Sequence, residues 1–338
     1  MRIDVIVPCY HAQDQIPNLL GSLISQKISD ELDVTLVNDG EENTDYQEAV
    51  KTFSPFISIR EIKMETNGGP GVARQFGFDH TSNPLVTFID ADDTLSGAFA
   101  LKILRKQLLQ EPYNAICIGS FLEEQENDLY INHENDTVWM FGKLYKREFL
   151  VKHDIRFNET RANEDAGFNM MCRLLSSDQE QIKFIKDIIY YWQKTEGSTT
   201  RANNCEYSYN QSFVGYTDNM IWAIQEAEKR NPFNGNILHQ KVGTMINLYE
   251  YYIETVARDK RFIDQNWNCC RKYYKEIYRE VKDKIPEETF IQTYNDIMRN
   301  AYMGNKLHGI IPCIGIHDFL AKLELEYTDS NTGEIIND

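Results

Sequence analysis

Three acids fall within four positions at the end of an apolar run, Phe88-Ile89-Asp90-Ala91-Asp92-Asp93. Like charges this close cost free energy unless something positive sits among them. Asp92 or Asp93 could cap a helix beginning near Leu95 or Ser96, which accounts for one acid and not for three. A hard divalent cation accounts for the cluster better, because Mg2+ or Mn2+ takes one or two carboxylates and completes its shell with phosphate oxygens and water. Upstream, Asn67-Gly68-Gly69-Pro70-Gly71-Val72-Ala73-Arg74 is a glycine-rich loop opening a helix. Glycines such as Gly69 let backbone approach a ligand closely, and a helix N-terminus favours anions. No Gly-Lys-Ser/Thr follows, so this is not a P-loop. Arg74, one turn into the helix, could reach a phosphate or an acid. Further on, Glu164-Asp165 precedes a helical-looking run. That pair reads either as acids favoured at a helix N-terminus or as a carboxylate that takes a proton from an attacking hydroxyl.

The elements that must position these residues alternate. Apolar runs at 3–10, 32–40, 56–63, 84–93 and 115–124 read as strands, and 15–26, 45–53, 67–81 and 97–110 as helices. Such alternation predicts an α/β fold with a mainly parallel sheet between helices. Ligands of such sheets bind at the carboxyl ends of the strands, where Asp39, Asp90, Asp92 and Asp93 fall. Residues 137–204 are less regular. From 205 the pattern becomes helical, with expected helices over 206–229, 236–260, 264–282 and 286–302. The predicted organisation is a domain over 1–204 with halves 1–110 and 111–204, a helical domain over 205–326, and a mobile acidic tail over 327–338.

Composition narrows the function classes. The chain has 338 residues and a net charge of −17, and residues 1–204 hold 20 Lys and Arg against 32 Asp and Glu. This disfavours general nucleic-acid or anionic-membrane affinity. The seven cysteines are scattered without CxxC or zinc spacing. No apolar run approaches the roughly 20 residues that cross a bilayer, and the N-terminus lacks a signal-peptide pattern. A cytoplasmic location is expected, with the inner membrane face as a variant of it.

Five segments in order carry a resemblance: VIVPCYHAQDQIPNLLGSLISQ, LVNDG, NGGPGVARQFG, VTFIDADD and WMFGKLYKREFLVKHDIRFNETRANEDAGF. Together they resemble the family-2 inverting glycosyltransferases of GT-A fold, over roughly residues 1–200. The resemblance implies that Pro8 and Tyr10 line a nucleotide-base pocket, that Asp39 binds base or ribose, usually of uridine, and that Arg74 helps to hold the donor. It further implies that Asp90 contacts the ribose, that Asp92 ligates Mn2+ or Mg2+ bridging two phosphates, and that Asp165, beside Glu164, is the general base. The family's usual Ser after the Asp-Gly turn is Glu41 here, and the Asn after Ala-Arg is Gln75. A Ser/Thr-rich loop holding Gly197, Ser198, Thr199 and Arg201 resembles one that closes over the donor. Asp93 is left to a helix cap, and Trp139 and Trp192 either stack on sugars or pack in the core.

The implied reaction moves a sugar from a nucleotide diphosphate sugar, UDP-linked by expectation, to a hydroxyl of a cell-surface glycan, glycolipid or wall polymer. Two alternatives stand beside it: transfer to hydroxymethylated bases in DNA, which the charge disfavours, and an inactive sugar-nucleotide-binding module. Residues 258–284 hold nine Lys and Arg against five Asp and Glu, with aromatics interleaved. They read as a solvated helix face, as a surface for an anionic acceptor such as a polyol-phosphate polymer, or as a subunit contact between copies of the chain.

Overall fold

In the computed structural model, residues 1–42, 44–177, 179–194, 212–232, 234–304 and 306–332 are described. The chain divides into two compact units, Met1–Asn203 and Asn204–Asp338.

In the first unit the strands are β1 (Ile3–Cys9), β2 (Leu32–Asn38), β3 (Ser58–Lys63), β4 (Leu85–Phe88), β5 (Thr94–Leu95), β6 (Asn114–Glu124), β7 (Tyr130–His133), β8 (Lys143–Lys146) and β9 (Gln181–Trp192). The helices are α1 (Ile16–Ile24), α2 (Gln47–Phe53), α3 (Pro70–Asp79), α4 (Ala100–Leu108), α5 (Arg147–Lys152) and α6 (Glu164–Leu175). The sheet order is β3-β2-β1-β4-β8-β6-β9-β5, with β7 paired to β6. Neighbours β1, β2, β3 and β4 are parallel, as are β6 and β9, whereas β8, β7 and β5 run antiparallel to their partners. Strands β1, β2 and β4 are buried almost throughout, as expected for strands covered on both faces. Because β8 runs against its neighbours, the loop that precedes it lies at the same sheet edge as the ends of β4, β6 and β9.

Two sequence expectations change here. The apolar run 84–93 is not one strand: β4 stops at Phe88, the chain turns through the acids, and Thr94–Leu95 pairs with Tyr190–Tyr191 of β9. Helix α4 then starts only at Ala100, with Phe99 rather than an acid before it, so Asp93 caps no helix. Glycines set the close approach of α3. A Cβ on Gly77 would lie 2.5 Å from the Ile6 side chain, and one on Gly71 2.6 Å from that of Glu164. Both distances are inside any tolerable contact, so α3 packs on β1 and α6 at glycine-only range.

The second unit contains α7 (Ser212–Arg230), α8 (Gly235–Arg258), α9 (Ile263–Tyr273), α10 (Glu287–Met303) and α11 (Ile316–Thr332). Helix α8 buries Ile237, Val242, Met245, Ile246, Tyr249 and Ile253, while Leu238, Tyr252 and Val256 are only half-buried. The expected helix 264–282 widens into a π-helical turn at Tyr274–Tyr278, with Arg279 N–H donating to the Tyr274 carbonyl at 2.9 Å. The acidic end, expected to be mobile from 327, is helical through Thr332. Phe319 and Leu323 of α11 are buried, and Glu326 accepts from the Trp267 indole. Within the described residues no helix is long and apolar enough to cross a membrane.

Candidate functional site

The site grows from the carboxyl ends of the sheet. After β2, Asp39 turns back into the protein. Its two carboxylate oxygens accept from the Gly68 and Gly69 N–H groups at 2.7 and 2.9 Å, and its carbonyl accepts from the Asn67 amide. Gly69 has φ 87°, a conformation open to glycine and strained for other residues. Asp39 therefore anchors the glycine-rich loop and fixes the start of α3. Burial raises its pKa although the two backbone donors oppose this. Tyr10, just after β1, is 53% exposed and its ring lies 4.1 Å from that of His11; Pro8 is half-buried.

Glu41, which stands where the resembled family has Ser, is a buried clasp. It accepts from the Tyr46 hydroxyl at 2.6 Å, the His11 N–H at 3.0 Å and the Gln13 amide at 3.3 Å. Burial pushes its carboxyl up, but these donors outweigh it and hold it below its ordinary value. No sequence signal marked this role, because the partners come from two stretches, His11–Gln13 and Tyr46, that the residue types do not join.

Beyond β4 the three acids separate. Asp93 is buried and accepts from the Tyr190 hydroxyl at 2.6 Å and the Gln193 N–H at 2.8 Å. The same Tyr190 oxygen accepts from the Asp90 N–H at 3.2 Å. Asp93 thus locks the acid turn onto β9. Burial, then the charges of Asp92 and Asp90, hold its carboxyl well above the usual range. Asp90 takes a 2.5 Å ion pair from Arg74, and the other arm of that guanidinium reaches Glu164 at 2.7 Å. Asp92 is half-buried.

Arg74 is 4% exposed, so its charge lies under the site, bridging the end of β4 to the first turn of α6. Its buried Nε has no hydrogen-bond partner. Burial opposes the guanidinium charge, and Asp90 and Glu164 outweigh that. Asp165 follows Glu164 and is half-buried. Burial, then the neighbouring Glu164 charge, push its pKa up to about 7, with Arg74 pulling the other way. Of the two acids, Glu164 is engaged by Arg74, and Asp165 holds its proton to a higher pH than an ordinary carboxyl.

The glycosyl transferase family 2 model matches residues 4–165, the span that carries Asp39, Arg74, Asp90, Asp92, Glu164 and Asp165. The first unit belongs to that family. Among relatives of this glycosyltransferase domain, the uncharacterized glycosyltransferase EpsJ of Bacillus subtilis is 24% identical over 221 residues, covering 59% of this chain and 62% of that protein. The poly(ribitol-phosphate) beta-glucosyltransferase of Bacillus spizizenii is 23% identical over 246 residues, covering 68% of this chain and 37% of its own length. The chain thus spans less than two thirds of either. Among solved structures, S. aureus TarS 1–349 in complex with UDP-GlcNAc superposes with a TM-score of 0.68 at 19% identity, covering 90% of this chain and 92% of that one. The architecture is the GT-A fold.

The glycosyltransferase domain fits a hard divalent cation by its donor chemistry. The side chains of its acid turn offer carboxylate oxygens, and the charges of Asp92 and Asp90, which add to burial in raising Asp93, are what a cation relieves. Among the described residues no group of three or more His, Cys, Asp or Glu is arranged to hold a metal by itself. A cation here would take Asp92 and fill its shell from phosphates and water.

Sequence reasoning missed the support of the acceptor half. Lys143 of β8 is fully buried, its ammonium donating to the Trp139 and Phe141 carbonyls and lying 3.6 Å from Asp136. Desolvation lowers its pKa. Asn169, one turn after Asp165, donates to the Val138 and Trp139 carbonyls at 2.9 and 3.1 Å and accepts from the Tyr145 hydroxyl at 2.9 Å. Gly197, Ser198, Thr199 and Arg201 lie outside the described residues. In the second unit the basic stretch resolves mostly into core and ion pairs. Tyr273, Tyr274 and Tyr278 are buried, Lys272 pairs with Asp218 and Arg271 with Glu326.

Proposed function

We propose that the protein is a glycosyltransferase that moves a sugar from a UDP-sugar to an acceptor hydroxyl by single displacement with inversion at the anomeric carbon. The observation that carries this is Asp165, whose carboxyl is poised at about 7 and whose helix is tied through Glu164 and Arg74 to the acid turn after β4. An acceptor hydroxyl has a pKa far above 7, so its attack needs a base that takes the proton as the bond forms. One base suffices for a single displacement, and no second carboxylate nucleophile is required. Tyr10 offers an exposed ring for the nucleotide base beside Pro8, and Asp39 holds the Gly68–Gly69 turn against base or ribose, each of its oxygens keeping a further lone pair. Asp90, oriented by Arg74, meets the ribose, so Arg74 acts on the donor through Asp90 rather than by direct reach. Glu164 is a positioning residue. Asp92 would hold Mn2+ or Mg2+, which supplies neutralisation of the charge that grows on the departing diphosphate.

The acceptor class is a glycan, a lipid-linked sugar or a wall polymer, at the cytoplasmic side. The acidic first unit disfavours DNA. The test is thermal stabilisation by a panel of UDP- and GDP-sugars with and without Mn2+, followed by donor hydrolysis and transfer. Stabilisation by UDP-sugars and metal-stimulated turnover that is lost in Asp92→Ala support the reading. No turnover with any nucleotide sugar contradicts it.

A further inference from the structure

The glycosyltransferase domain carries an aromatic surface that the donor chemistry leaves unused. On β6 and β9 alternate residues share a face, and the register pairs Phe121 with Tyr190 and Glu123 with Trp192. That face and the loop before β8 bring Trp139, Phe141, Trp192, Tyr190 and Phe121 together. Trp139 lies parallel to Phe141, Phe141 stacks on Tyr190 at 4.9 Å, and the two indoles are 5.0 Å apart. Phe121, Phe141 and Tyr190 are buried, while Trp139 and Trp192 are only half-buried and sit at the outer rim.

This rim is fixed to the reacting groups on two sides. Asn169 ties the Trp139 carbonyl to the helix of Asp165. Tyr190, under Phe141, donates to Asp93 in the acid turn. An acceptor must present its hydroxyl between a donor held at that turn and a base on that helix, so the shelf borders the space the acceptor enters. We propose that Trp139 and Trp192 form an acceptor subsite that stacks on a pyranose ring, so that the sugar receiving the new residue is cyclic rather than an open-chain polyol phosphate.

The chemistry separates those two acceptors. A pyranose has a flat face of C–H bonds that packs on an indole, while its rim hydroxyls stay available to polar groups. An open-chain polyol has no such face, and its phosphates call for cations. Lys143, the cation under this loop, is buried and engaged by the Trp139 and Phe141 carbonyls and by Asp136. Glu123, an acid, stands beside Trp192 on the same face of the sheet. The basic groups against it, Lys143 and the His133 ring, are each held by an acid, Asp136 and Glu123, so the shelf presents ring faces to a neutral sugar rather than charge to a phosphate.

The proposal rests on the glycosyltransferase reading, and the experiment separates the two. With the full chain and its best nucleotide sugar, kcat and acceptor KM are measured on pyranoside oligosaccharides and on glycerol- and ribitol-phosphate oligomers. The wild type is expected to use pyranosides in preference. Trp192→Ala and Trp139→Ala are each expected to raise the acceptor KM about tenfold, the scale of losing one aromatic stacking partner, with a smaller change in kcat. Trp192→Phe, which keeps a ring, recovers most of that loss and guards against a misfolded Ala variant. Preference for polyol phosphates, or transfer to pyranosides with a KM indifferent to both tryptophans, overturns the shelf and leaves the glycosyltransferase reading standing. No transfer from any nucleotide sugar removes both.

Discussion

Two buried cations, one in each unit, are flanked by two carboxylates apiece, and they do different things. Arg74 joins Asp90 and Glu164, whose side chains are 27% and 7% exposed. Lys241 joins Glu228 and Glu280, whose side chains are 43% and 52% exposed. The Lys241 cluster faces water and behaves as a clamp between helical segments. Around Arg74 the acids outnumber the base: Asp92, Asp93 and Asp165 crowd the same edge of the sheet, and two of them have raised proton affinity. An ion pair in a sequence or a contact map says little by itself. The surplus of carboxylate over cation, held in partial burial, is what marks a site.

That contrast can be broken in order of effect. Asp165→Asn removes the proposed base and should lower kcat for transfer by about a thousandfold, within the range for a lost general base; steady-state kinetics check it. Arg74→Met leaves Glu164 and Asp90 without their counter-ion and should destabilise the first unit by about 3–5 kcal/mol. Lys241→Met should cost only about 1 kcal/mol, since its two partners can turn to solvent. Urea unfolding of both variants compares the two, and equal losses would erase the distinction drawn here. A subtler change is Glu164→Gln. It removes the like charge beside Asp165, so the rising limb of kcat/KM should move about one unit to lower pH.

The same raised pKa has a consequence for stability. Asp165 binds its proton more tightly folded than unfolded, so it favours the fold below the unfolded value near 4. That advantage is lost as pH rises towards about 7. Asp165→Asn should therefore gain stability relative to the wild type above pH 7 and not below pH 4, as paired melts would show.

Much of this was legible in the chain. The strand–helix alternation, the strand-end acids and the Gly-Gly loop are local patterns that mark Asp39, Arg74, Asp90 and Asp92, and the resemblance adds Asp165. What stayed hidden depends on contacts between distant segments. Asp93 looked like a cap because a helix seemed to start at once, whereas Tyr190 and Gln193, about a hundred positions later, claim it. Arg74 could reach a phosphate or an acid by its position; it takes two acids, and only packing against α6 shows it enclosed. The burial of Glu41 and Lys143 has no signature in their own residue types, since both are charged and both are enclosed.

The central claim is that Asp165 is the base of a single-displacement sugar transfer. Its most direct test is the pH dependence of kcat/KM for transfer in the wild type and in Asp165→Asn. The account predicts a rising limb in the wild type with an apparent pKa near 7, and residual activity without that limb in the variant. A variant that keeps the wild-type rate and the same limb would contradict it.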